Sequence, residues 1–151
     1  MRVAHAARIL LLTLFALLSS LRAATAEAPP PPPPFVVIVH PDNPSTTLDR
    51  SFVADAFLKK ATRWPNGDVI KPVDLASESA TRERFSRDVL RRSVAAVKSY
   101  WQQMIFSGRD VPPPELSGDD LVVQYVQTHR GAIGYVAGNT RLGDARAVTI
   151  R

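Results

Sequence analysis

Six consecutive prolines, Pro29 to Pro34, divide this chain. Proline has no backbone N–H and a fixed φ, so such a run joins neither a helix interior nor a sheet. It favours polyproline II, a stiff spacer of roughly 3 Å per residue. With Glu27 and Ala28 the run makes a linker over residues 27–34. Residues 35–151 are left to fold, enough to bury a single core. No internal repeat is present.

Upstream of the linker, Arg2 and Arg8 precede an apolar run from Ile9 to Leu18. That run is too short for a bilayer core, which needs about 20 residues. A basic start, a short apolar run and the A-x-A tripeptide Ala24-Thr25-Ala26 describe a secretory signal. Residues 1–26 are therefore expected to be cut off after Ala26, leaving no membrane span and a periplasmic or secreted chain. The signal carries Arg2, Arg8 and Arg22. Their loss turns 19 basic against 14 acidic residues into 16 against 14, a net charge of +2. A basic footprint for nucleic acid is missing at that charge. The chain has no cysteine, which excludes disulfides, thiol catalysis, Cys-ligated zinc and a lipidated cysteine.

In the folded part, Phe35 to Val39 is a continuous β-branched run, expected as a strand buried on both faces. Ser45-Thr46-Thr47, with Thr46 and Asp49 at capping-box spacing, predicts a helix reaching about Lys59. Trp64 to Asp68 is a turn. Val69 to Val73 is a short strand placed near an edge by Pro72. The hydroxyls of Ser77, Ser79 and Thr81 start a helix carrying Phe85, Val89 and Leu90. Ser93 caps the next, whose apolar face is Val94, Val97, Trp101, Met104 and Ile105. Ser117 and Asp120 suggest another capping box before Leu121, Val122, Tyr125 and Val126. Gly131 ends that helix, and strands follow at Ala132 to Val136 and Ala147 to Ile150. Strands mixed with helices predict an α/β fold with a small central sheet flanked by helices.

The chemistry in the pattern is sparse. His40 and His129 have no second ligand at metal-like spacing, so neither a metal nor another cofactor is expected. A nucleophile elbow and phosphate-cradling glycine motifs are missing, so an enzyme is not expected. The arginines at 82, 84, 87, 91 and 92 alternate with Glu83 and Asp88, as on a solvated helix face. The cluster Ser77, Ser79, Thr81 stands at a helix start, where free N–H groups and a partial positive charge can hold an oxyanion. The same residue types are also preferred there as plain caps.

Taken in order, V-H-P-D-N-P at 39–44, A-F-L at 56–58, W-P-N-G at 64–67, Ser79-Ala80-Thr81 with Phe85, Y-W at 100–101, F-S-G at 106–108 and G-A-I-G-Y-V at 131–136 resemble the phosphate-binding periplasmic proteins of ABC importers. The resemblance spans residues 36 to 137. It implies one lobe of a periplasmic-binding-protein fold over residues 35–151, where the family has two lobes closing on an anion. It also implies that Ser79-Ala80-Thr81 stands for the family's S-G-T phosphate loop. Asp74-Leu75-Ala76 lacks the arginine that usually precedes that loop, and Ser77 replaces an acidic residue. Arg82 is the nearest cation that could compensate. The resemblance thus implies a small oxyanion such as phosphate, held weakly by Ser77, Ser79, Thr81 and Arg82. A second copy of the chain could complete the half-site. The alternative is an envelope protein-interaction module that has lost its ligand, with Trp64, Tyr100 and Trp101 as surface candidates and Trp101 also fitting a core.

Overall fold

A computed structural model describes residues 34–151; the expected signal and the linker up to Pro33 lie outside the described residues. The run Phe35–Val39 forms β1, the centre of a five-stranded mixed sheet. On one side β1 pairs antiparallel with β6 (Ala132–Ala137), from Phe35 opposite Ala137 to Val39 opposite Ile133. On the other it pairs antiparallel with β7 (Arg146–Ile150), with Ile38 opposite Ala147. The short strands β2 (Thr47–Leu48) and β3 (Lys71–Pro72) run parallel to β7 and β6 and form the two edges. Pro72 therefore lies on an edge strand, where its missing N–H does least harm. A separate parallel pair joins β4 (Asp74–Leu75) to β5 (Glu115–Leu116).

Side chains alternate across a strand, so β6 serves two layers. Gly134 faces α4 (Asp119–Thr128): a Cβ there would stand 2.7 Å from a Val122 methyl and 3.1 Å from a Val126 methyl. Tyr135 faces the opposite layer. Its ring stacks on Phe85 with centroids 3.8 Å apart, and Phe57 lies 5.5 Å away. Phe57 ends α1 (Arg50–Phe57), and Phe85 ends α2 (Ala80–Phe85), which continues as a π-helical segment over Ser86–Leu90. Phe35 completes this aromatic cluster at 5.5 Å from Phe85. Both faces of β1 are covered, as its unbroken apolar run requires: Val37, Ile38 and Val39 are all buried. Each large side chain so covered contributes about 1.5–3 kcal/mol.

Several local expectations are corrected. The helix expected from Ser45 begins at Arg50, because Thr47 and Leu48 are drawn into the sheet. Thr149 N–H donates to the Thr46 carbonyl and Arg151 N–H to that of Leu48. Asp49 is the N-cap but makes no side-chain cap; its carboxylate accepts from Arg151 instead. The second capping box is also not formed. Gly118 is the N-cap of α4, and Asp119 accepts from Ala137 N–H and the Thr140 hydroxyl. Leu121 is exposed, and Val123 takes its place in the core. The Ser93 cap is present, with its hydroxyl accepting from Ala96 N–H at the start of α3 (Val94–Phe106). The face of α3 divides: Val97 and Trp101 enter the core, whereas Ile105 remains 51% exposed. Gly131 ends α4 with φ +82°.

Candidate functional site

The Ser77–Thr81 loop follows β4 directly. Ser79 N–H donates to the Ala76 carbonyl and turns the chain into α2. Ser79 has extended dihedrals, and its Oγ accepts from Arg82 N–H at 3.3 Å, so it caps the helix. Capping uses the oxygen's lone pairs and leaves the hydroxyl proton to be donated outward. Ser77 is exposed and donates to Glu78 Oε1 at 3.2 Å. Thr81 lies one helical step inside and is buried. The structure therefore brings the three hydroxyl residues to one helix start but leaves them unequally accessible.

Arg82 is placed differently from a free countercharge. It is 3% exposed, and its Nη1 donates to the Leu75 carbonyl and contacts Asp74 Oδ2 at 3.0 Å and Glu115 Oε1 at 3.0 Å. Asp74 and Glu115 are register partners on β4 and β5, so one guanidinium ties both strands to α2. Tyr135 donates its hydroxyl to Asp74 Oδ1, and Leu75 N–H donates to the same oxygen. Burial pushes the Asp74 carboxyl up to about 6; Arg82, the Tyr135 hydroxyl and Leu75 N–H pull the other way, and Glu115 adds to the rise. Burial, then the Asp74 charge, lifts the Tyr135 phenol far above its usual range.

Asp74, Tyr135 and Glu115 were not singled out from the sequence. The one signal was an aspartate flanked by apolar residues in Val73-Asp74-Leu75, since a buried carboxylate needs partners. Trp64, offered as a surface residue, is buried and donates its indole N–H to the Gly131 carbonyl at 2.9 Å. Trp101 is core, and half-buried Tyr100 donates to the Leu58 carbonyl. His129 stacks on Tyr125, and His40 Nδ1 accepts from Asp42 N–H. Among the described residues no group of three His, Asp or Glu side chains could hold a metal ion. An open groove of about 600 Å³ between α1 and the end of the π segment, rimmed by Arg50, Arg91, Arg92 and Arg151, shares no residue with the loop.

The fold has solved counterparts. A protein from Clostridium perfringens, assigned as a phosphate ABC transporter substrate-binding protein and solved with bound phosphate, superposes with a TM-score of 0.61 at 22% identity. The match covers 77% of this chain and 44% of that one. The chain has an α/β fold that matches part of a substrate-binding protein. An ABC-type phosphate transport receptor from Vibrio cholerae gives a TM-score of 0.60 at 16% identity, over 77% of this chain and 45% of that one. A protein from Planctomyces limnophilus assigned as phosphate-binding gives 0.55 at 18%, over 78% and 41%. The chain thus spans less than half the length of these structural neighbours. No protein-family model and no curated protein matches the sequence.

Proposed function

We propose that the chain is an exported, non-catalytic solute-binding module, related to phosphate ABC import, that holds a small oxyanion weakly at the Ser77–Thr81 loop. The observation that carries this reading is the likeness of fold to substrate-binding proteins, one of them solved with phosphate. Local chemistry supports it. The Ser79 hydroxyl keeps a proton to donate while its oxygen caps the helix, and the helix start favours negative charge. Export rests on the leader pattern. Among the described residues no helix is long and apolar enough to cross a membrane.

Weakness follows from where the charges are. Arg82 is neutralised by Asp74 and Glu115, and exposed Glu78 stands beside Ser79. Ser77 and Glu78 are exposed, so an anion at this loop stays in contact with water, where each hydrogen bond adds little. The monomer is therefore expected to bind phosphate no better than about 1 mM, or roughly −4 kcal/mol. Calorimetric titration of phosphate, with chain mass recorded on the same sample, tests this. Submicromolar binding by a monomer refutes the weak-site reading. Micromolar binding by a dimer means that a second copy completes the site.

A second reading, an envelope protein-interaction module, is favoured by one feature. Phe106 is 90% exposed at the end of α3, its chain neighbour Ile105 is exposed as well, and so is Val111 five residues on. Absence of heat up to about 10 mM phosphate would favour it, because that leaves less than roughly 3 kcal/mol for the anion.

A further inference from the structure

The positive charge of the folded part is gathered at one place. Residues 35–151 carry 16 basic and 13 acidic side chains, a net +3. The groove between α1 and the π segment is lined by Arg50, Lys60, Arg91, Arg92 and Arg151 against Asp49 and Asp55, which is the same net +3. Its two aspartates are already engaged. Asp49 Oδ1 accepts from Arg151 Nε at 2.8 Å, and Asp55 Oδ1 lies 4.0 Å from Lys60 Nζ. Arg50, Arg91 and Arg92 make no ion pair among the described residues. Arg50 Nη1 donates to the Asp88 carbonyl, and the Arg92 guanidinium stands over the Tyr100 ring, 5.4 Å from its centroid. Three guanidiniums on one groove thus keep their charge uncompensated.

Arg91 also stands where an arginine is unusual. It closes the π segment with φ 55° and ψ 33°, in the left-handed region. The next residue, Arg92, donates its N–H back to the Ser86 carbonyl at 3.1 Å. A stop selected for stability is usually glycine, which takes this conformation without a Cβ clash. Gly131 at the end of α4 is such a stop. Strain retained at an exposed arginine points to a use for its side chain.

The floor of the groove is apolar, since Leu58, Val89 and Leu90 line it and are buried. A compact polyanion gains nothing from that floor and meets Asp49 and Asp55 at the rim. An extended chain segment spaces its carboxylates, so they reach the guanidiniums while its apolar side chains cover the floor. Each guanidinium can take a carboxylate through two parallel N–H bonds. The open groove also suits a segment lying across it better than a small molecule, which is normally enclosed.

We propose that this groove docks an acidic segment of a partner protein, its carboxylates on Arg50, Arg91 and Arg92 and its apolar side chains over Leu58 and Leu90. The site is separate from the Ser77–Thr81 loop and does not depend on the loop's binding an anion.

The test titrates a short peptide of glutamates with interspersed leucines into the purified protein at low ionic strength, read by fluorescence anisotropy of the labelled peptide. Its glutamine counterpart, inorganic tripolyphosphate and phosphatidylglycerol vesicles are titrated in parallel. The acidic peptide is expected to bind with a Kd below about 100 μM and to weaken as salt is added. Arg91→Gly should weaken it about fivefold, as the loss of one partly exposed charge would, while leaving the protein no less stable to urea because the left-handed strain is relieved. Arg92→Gln should weaken it by about as much. Lys98→Ala removes an exposed cation outside the groove and should change the Kd less than about twofold. No binding up to about 1 mM, equal binding of the glutamine peptide, or indifference to Arg91→Gly overturns the proposal. So does a loss with Lys98→Ala as large as that with Arg91→Gly, which would mean attraction to charge in general. Tighter binding of tripolyphosphate or of the vesicles overturns the acidic segment in favour of a small polyanion or a membrane surface.

Discussion

Replacing Asp74 by asparagine tests the electrostatics beneath the loop with a definite sign. The folded chain holds the Asp74 proton up to about pH 6, against an ordinary value of 3.8. Between those values the folded state binds more protons than the unfolded one, so stability falls as pH rises. The contribution is fully present below about pH 4 and lost above about pH 6. A difference of about two pH units corresponds to about 3 kcal/mol. Asparagine resembles the protonated acid at every pH, and its oxygen can still accept from Tyr135 and Leu75 N–H. Arg82 keeps the Leu75 carbonyl and Glu115.

Asp74→Asn is therefore expected to match the parent near pH 4 and to exceed it by about 3 kcal/mol at pH 7. Taking the difference cancels every group that titrates alike in both proteins. Urea unfolding followed by tryptophan fluorescence at pH 4, 5, 6 and 7 measures it. The opposing argument is that removing one member of a buried ion pair costs about 3–5 kcal/mol. Here burial outweighs Arg82 in setting the Asp74 pKa, so the desolvation cost decides. A variant less stable than the parent at pH 7, or a difference that does not change with pH, refutes the reasoning.

Ser79→Ala removes the α2 cap and should lower unfolding free energy by about 1 kcal/mol, with a parallel loss of phosphate affinity if the hydroxyl also donates to the anion. Gly131→Ala places a Cβ 2.1 Å from the Val69 carbonyl oxygen at φ +82°, and should cost well over about 1 kcal/mol by urea titration. Phe106→Ser should leave stability within about 0.5 kcal/mol, because its ring is almost wholly in solvent; a larger loss in a melting experiment would mean that the ring packs in solution.

Parts of this molecule are legible without coordinates because their causes lie within a few residues. The β-branched run at Phe35–Val39 reads as a buried strand, Pro72 as an edge, Gly131 as a helix stop and Ser93 as a cap. Ser79 belongs to the same class, since its bond to Arg82 N–H closes over one helical turn. The errors share an opposite origin. Thr46-Thr47-Leu48 looks like a helix start, but β7 at the far end of the chain supplies hydrogen bonds that hold it extended. Trp64 looks like a surface aromatic until the Gly131 carbonyl meets its indole.

The sequence by itself determined the α/β class, the core strands and the hydroxyl-rich helix start, because periodicity, caps and turns are set by neighbours along the chain. Only the tertiary structure decided what Arg82 does. Spacing placed it one residue beyond the loop, where it read as a free countercharge. Pairing of β4 with β5 instead brings Asp74 and Glu115 together on it, and Tyr135 of β6 closes the network from below. A buried charge takes its partners from whatever strands the fold brings alongside it, and strand pairing between distant segments leaves no local trace.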